Sequence, residues 1–162
     1  MREAGRITAL ALHAMREAVQ PGISTAELDA IAADVIKKHG ATAAFLGYPP
    51  GSPHPFPGTA TISITEELVH GIPRPDRILQ EGDIVSLDCG AIYNGYVGDS
   101  ALTVGVGKIS PEAQRLLEIT EQALVQHGPE IRRGVVRGCP QTGMAQRHLV
   151  RRGGFEVAPE PM

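Results

Sequence analysis

Apolar positions Ile7, Leu10, Ala11, Ala14 and Ala18 recur at the spacing of one helix face, and Pro21-Gly22 stops the pattern, predicting a helix over about residues 3–19. Ser24-Thr-Ala-Glu27 has the form of a capping box, in which a hydroxyl and a carboxylate satisfy amides that no helical carbonyl reaches. It opens a second predicted helix with Leu28, Ile31, Ala32, Val35 and Ile36 on one face and Gly40 at its end. Five prolines in residues 49–57 remove backbone donors and fix φ, so this stretch reads as a loop. Alternation then replaces the helical period. Thr59 to Thr65 predicts a strand, and the Gly and Pro of Leu-Val-His70-Gly-Ile-Pro73 place His70 at a strand end. Asp83 to Asp88 and Tyr96 to Val106 predict two more strands, joined at Asn94-Gly95, the pair that best tolerates the positive φ of a tight hairpin turn. Ser110-Pro111-Glu112 supplies a cap, a first-turn proline and an acid for a third helix, with Ala113, Leu116, Leu117, Thr120 and Leu124 as its apolar face.

A two-residue hairpin loop fixes the register around it. Counting outward from Asn94-Gly95, Tyr93 faces Tyr96, Cys89 faces Ser100 and Asp88 faces Ala101. Asp99 lies two residues from Ala101, so it shares a face with Asp88. Such diagonal neighbours lie about 7–8 Å apart at the backbone, within reach of side chains that converge on one cation. Two carboxylates that close either share a proton or are neutralised by metal, and two-metal hydrolases use such a pair. Spacing alone equally admits a solvated or turn-capping pair. An unpaired carboxylate would be costly for Asp88 at the end of an apolar strand. His70, taken by itself, reads as a hydrogen-bonded strand-end histidine or as a catalytic one.

The 162 residues, 42% hydrophobic and 20% charged, suit one globular domain. A net charge of −3 and the absence of Trp leave no basic or stacking platform, so neither nucleic acid nor a membrane is an expected partner. Cys89 and Cys139 stand fifty residues apart with no second cysteine near either, which points to a reducing, cytoplasmic setting. The composition changes near Gln126. The body to that point carries nine basic and fifteen acidic residues, whereas the last 36 carry six Arg, no Lys, six Gly and four Pro without an apolar period. The sequence therefore divides into a body, residues 1–126, and an atypical tail, residues 127–162, expected to be disordered or the product of a shifted reading frame.

Several blocks together resemble one family, the type I methionine aminopeptidases. They are Met-Arg-Glu-Ala-Gly-Arg at residues 1–6, Phe45-Leu-Gly-Tyr48, Glu66-Glu-Leu-Val-His70-Gly-Ile-Pro73, the stretch Asp83-Ile-Val-Ser-Leu-Asp88 running on to Gly95-Tyr-Val-Gly-Asp99, and the helix opening at Ile109. The resemblance covers residues 1–126. It implies an α/β (α+β) pita-bread fold, an antiparallel sheet backed by helices, of which about one pseudo-symmetric half is present. It also implies an enzyme that removes the initiator methionine from nascent proteins. By resemblance Asp88 and Asp99 are ligands of two divalent ions (Co, Mn, Fe or Zn), with Asp99 bridging. His70 contacts the substrate as a catalytic residue, and Phe45, Tyr48, Phe56 and Thr61 line the pocket for the methionine side chain. The peptide or nascent protein N-terminus is the implied partner.

Family members complete the metal site with one His and two Glu from a second half. No role is carried onto His127, His148, Glu156 or Glu160, which lie in unmatched sequence, so the chain is expected to be truncated and inactive alone. Thr65 stands where Asn is common, and Val97 where His is frequent. A related Xaa-Pro dipeptidase and a non-catalytic pita-bread binding module are the alternative readings.

Overall fold

The described residues of this computed structural model are 1–132, 150–151 and 154–155. The chain divides into two compact units, Met1–Gln114 and Arg115–Met162. In the first, helix α1 spans Arg2–Ala18 and helix α2 spans Thr25–Lys38, followed by strands β1 (Thr42–Ala43), β2 (Ala60–Ile64), β3 (Ile84–Tyr93) and β4 (Tyr96–Gly105). Helix α3, Pro111–Arg132, begins in that unit and continues in the second, which also holds the short antiparallel pair β5 (Val150–Arg151) and β6 (Gly154–Phe155). The compositional boundary read at 126 falls inside α3. Cys139, His148, Glu156 and Glu160 lie outside the described residues, as does the side chain of His127.

The capping box forms as the sequence predicts. The Glu27 amide donates to Ser24 Oγ, and the Ser24 amide donates to Glu27 Oε2 at 2.9 Å. Helix α1 also forms, but its buried stripe is rotated from the one predicted. Ile7 and Ala11 are buried together with Ala4, Thr8, Leu12 and Met15, while Leu10 and Ala14 sit at its margin. On α3, Ser110 Oγ accepts from the Ala113 amide as an N-cap should, yet Leu116 and Leu124 of its predicted apolar face are exposed.

Strand β3 is the axis of the sheet. It pairs along its whole length with β4, and its other edge is shared by β2 and β1, all antiparallel. The predicted register is found: Tyr93 faces Tyr96, Cys89 faces Ser100 and Asp88 faces Ala101, across a turn in which Asn94 and Gly95 both have positive φ. The strand does not end at Asp88, as the sequence suggested, but runs five residues further, so Asp88 lies mid-strand. Two faces follow from the pleat. Val85, Leu87, Cys89 and Ala91 of β3 join Ala60, Ile62 and Ile64 of β2 in a core closed by α1 and α2 through Ile7, Met15, Leu28 and Ile36. Asp88, Asp99, Thr61 and Ser63 belong to the opposite face.

One contact locks α1 to the hairpin. A Cβ at Gly98 would lie 2.5 Å from the Ala4 carbonyl carbon and from the Gly5 amide nitrogen, and Thr8 Oγ1 donates to the Gly98 carbonyl at 3.0 Å. Glycine is required there because backbone meets backbone.

Strand β2 solves an edge problem. The amides it turns away from β3 would be unpaired donors, costly when buried and open to a foreign strand. Each finds an acceptor. The Ala60 amide donates to Asp29 Oδ1 at 2.8 Å, the Ile62 amide to the Gly71 carbonyl at 2.9 Å, and the Ile64 amide to Glu67 Oε2 at 2.8 Å. Residues 65–71 are thereby wound against the strand they leave.

Candidate metal centre

Asp88 and Asp99 meet as the register requires. Asp99 is the cross-strand partner of Gly90, two residues along from Asp88. Asp88 is partly buried and Asp99 exposed. Burial, the Asp99 charge and a hydrogen bond shared with Asp99 push the Asp88 carboxyl up to about 6, against a smaller opposing pull from His70. The pair therefore concentrates negative charge, and its hard oxygen donors suit a divalent cation. Among the described residues, no group of three or more His, Cys, Asp or Glu is placed to hold a metal ion. Two carboxylates are part of a donor set.

The other predicted residues fall into two groups. Thr61 is the direct cross-strand partner of Asp88 and is buried on the same face. Phe45 lies over Gly90, where its Cε1 would stand 3.1 Å from an added Cβ, which places its ring across from Asp99. Thr61 and Phe45 thus flank β3 at the level of the pair, and the His70 charge acts on Asp88. Tyr48 and Phe56 face each other across the proline loop, where the Phe56 amide donates to the Tyr48 carbonyl and the Gly47 amide to the Phe56 carbonyl, each at 2.8 Å. Tyr48 is exposed and Phe56 half-buried.

His70 departs from the sequence expectation. It is not at a strand end: β2 stops at Ile64, and residues 65–72 form a loop in which His70 is exposed and has φ of 59°. That left-handed conformation costs an L-residue roughly 1–2 kcal/mol. Local bonds hold it, including the Glu67 amide to the Ile64 carbonyl at 2.8 Å and the Arg77 guanidinium against Glu66 and Glu67. Alternation misleads here because Leu68, Val69 and Ile72 look like strand residues yet are exposed.

Asp29 carries a role that the sequence pattern does not announce. It projects from α2 and accepts the Thr59 and Ala60 amides at 2.7 and 2.8 Å, fixing the start of the strand that carries Thr61. Burial raises its pKa, and the two amides pull it back. An acid on an amphipathic helix reads as solvated, so periodicity gives no signal for this role. Cys89 is fully buried among core residues, and burial, followed by Asp88, Asp29 and Asp99, pushes its thiol up to about 12, which leaves it protonated and inert.

Comparison with known proteins agrees with this geometry. The sequence model of metallopeptidase family M24 matches residues 1–160. The methionine aminopeptidase of Aquifex aeolicus is 53% identical over 125 residues, which is 76% of this chain and 48% of that protein. The crystal structure of the Thermotoga maritima methionine aminopeptidase superposes with a TM-score of 0.73 at 33% identity, over 78% of this chain and 49% of that one. An Xaa-Pro dipeptidase from Bacillus anthracis gives a TM-score of 0.62 at 26% identity, over 76% of this chain and 32% of that one. The chain thus spans about half the length of the curated relatives it matches. The sheet and helices have the α/β pita-bread architecture of these neighbours.

Proposed function

This chain belongs to metallopeptidase family M24, and from that premise we propose that residues 1–126 form one half of a methionine aminopeptidase site, acting in the cytoplasm on the N-termini of peptides and nascent proteins. The observation that carries the reading is the Asp88 and Asp99 pair, held on one sheet face by hairpin register, with the Asp88 carboxyl raised by burial and by its neighbour's charge. Two divalent ions held there would polarise the scissile carbonyl and activate water for hydrolysis. Asp88 and Asp99 would supply oxygen ligands from rigid strand positions. Thr61 and Phe45 would shape the wall beside the pair, and Tyr48 and Phe56 would present apolar surface to the methionine side chain from the proline loop. His70 would donate a hydrogen bond to the substrate from its loop above β2.

Similarity to the methionine aminopeptidase in both sequence and superposition favours this reading over an Xaa-Pro dipeptidase. With two carboxylates as the site's ligands among the described residues, ion binding by this chain is expected to be weak, because tight transition-metal sites use three or four protein ligands. Calorimetric titration of the full chain with Mn²⁺ tests the reading. Wild type should give a saturable heat that is lost in Asp99→Ala, and equal heats from the two proteins would sink it.

A further inference from the structure

The loop that carries His70 is tied to β2 by a residue with no assigned part in the site. Ser63 is buried, and its Oγ accepts a hydrogen bond from the Gly71 amide at 3.0 Å. The same glycine returns its carbonyl to the Ile62 amide at 2.9 Å. Gly71, the residue after His70, is thus clamped to two consecutive residues of β2, one bond through backbone and one through a side chain. The approach is as close as backbone permits, since a Cβ on Gly71 would lie 2.1 Å from the Ile62 carbonyl oxygen.

The clamp acts directly on His70. A left-handed histidine has lower-energy conformations open to it, and it stays at φ of 59° only while its neighbours are over-determined. On its C-terminal side the Gly71 amide is the first donor available to do this. Ser63 also lies on the sheet face of Thr61 and Asp88, because it follows Thr61 by two residues and Thr61 pairs with Asp88. The hydroxyl therefore refers the position of His70 to the strand register that sets Asp88.

We infer that Ser63 is a positioning residue, whose hydroxyl holds the Gly71 amide and so fixes the His70 ring beside the Asp88 and Asp99 carboxylates. This rests on the metal-site reading above only in what the ring is positioned against. Serine suits this position because a hydroxyl on Cβ is short enough to accept from an adjacent backbone, whereas alanine would leave a buried amide unsatisfied.

Nuclear magnetic resonance of the full isotope-labelled chain with Mn²⁺, whose paramagnetic broadening falls steeply with distance, tests the inference. In wild type the His70 ring protons and the Cys89 and Ala101 amides should all broaden. Ser63→Ala should keep the broadening at Cys89 and Ala101, lose most of it at His70, and speed exchange of the Gly71 amide by roughly 5–30-fold, as loss of one buried hydrogen bond predicts. Ser63→Thr, which keeps the hydroxyl, should restore both signals. Ile64→Val, a mild core truncation of the same strand, should move neither relative to its neighbours.

His70 broadening and Gly71 exchange that are unchanged in Ser63→Ala would overturn the inference. So would an equal response to Ile64→Val, which would make the effect one of general loosening. Absence of broadening at Cys89 and Ala101 in wild type would contradict the metal reading instead, and Gly71 exchange would still decide whether Ser63 is the clamp.

Discussion

Replacing Asp88 with Asn should stabilise the metal-free protein at neutral pH. In the folded state the Asp88 carboxyl titrates at about 6, against 3.8 in the absence of its surroundings. Between those values the folded protein binds more protons than the unfolded chain, so stability falls as pH rises through the window. The cost of ionising Asp88 is absent below about pH 4 and complete above about pH 6. Roughly two pH units correspond to a ceiling of about 3 kcal/mol. Asp88 is only partly buried, so water screens the interaction and about 1–2 kcal/mol is the better figure. For a chain of this length that is roughly 2–8 °C in melting temperature.

The assay is thermal unfolding followed by circular dichroism in the presence of a chelator, for wild type and Asp88→Asn between about pH 4 and pH 7.5. The asparagine resembles the protonated acid in shape and charge, so the two proteins should melt together near pH 4 and separate above about pH 6, with the variant the more stable. An Asn variant that is less stable at the upper end of this range, or a difference that does not change with pH, would refute the reasoning.

Further predictions concern the parts of the fold that position the site. Asp29→Ala leaves the Thr59 and Ala60 amides without their acceptor and should cost about 2–3 kcal/mol in urea unfolding; a cost below about 0.5 kcal/mol would contradict the anchoring role. Gly98→Ala drives a methyl into the backbone of Ala4 and Gly5 and should lower stability by about 3 kcal/mol or more, whereas Gly95→Ala, with open space around it but a φ of 77°, should cost only about 1 kcal/mol. The isolated full chain should not turn over a methionyl peptide with Co²⁺ or Mn²⁺ added, and measurable product release that disappears in Asp99→Ala would overturn the expectation that two carboxylates are too few.

Local chemistry is readable wherever it is settled by neighbours in sequence. The Ser24 and Glu27 box, the Asn94-Gly95 turn and the Ser110 cap are each decided within a few residues, and the hairpin register follows from its turn, which is why the sequence alone places Asp88 and Asp99 on one face. What the pattern misses depends on contacts distant in sequence. The length of β3 beyond Asp88 depends on pairing with both β1 and β4, and β1 is two residues that no periodicity can announce. The loop holding His70 is made by Ser63, Glu67 and Arg77 acting on a segment whose composition reads as strand. The buried stripe of α1 shifts to admit Ala4 and Thr8 because the hairpin glycine lets the helix lie directly on β4.

The central claim is that Asp88 and Asp99 are metal ligands of a methionine aminopeptidase site. The most direct test is a chimera in which residues 1–126 replace the corresponding part of the Aquifex aeolicus enzyme, which supplies the rest of the domain. With Co²⁺ or Mn²⁺ the chimera should release methionine from a methionyl peptide, and Asp99→Ala within it should lower kcat/KM by about a thousandfold, the scale of several kcal/mol of lost metal stabilisation. A folded chimera that releases no methionine with either ion, or one indifferent to Asp99→Ala, would contradict the account.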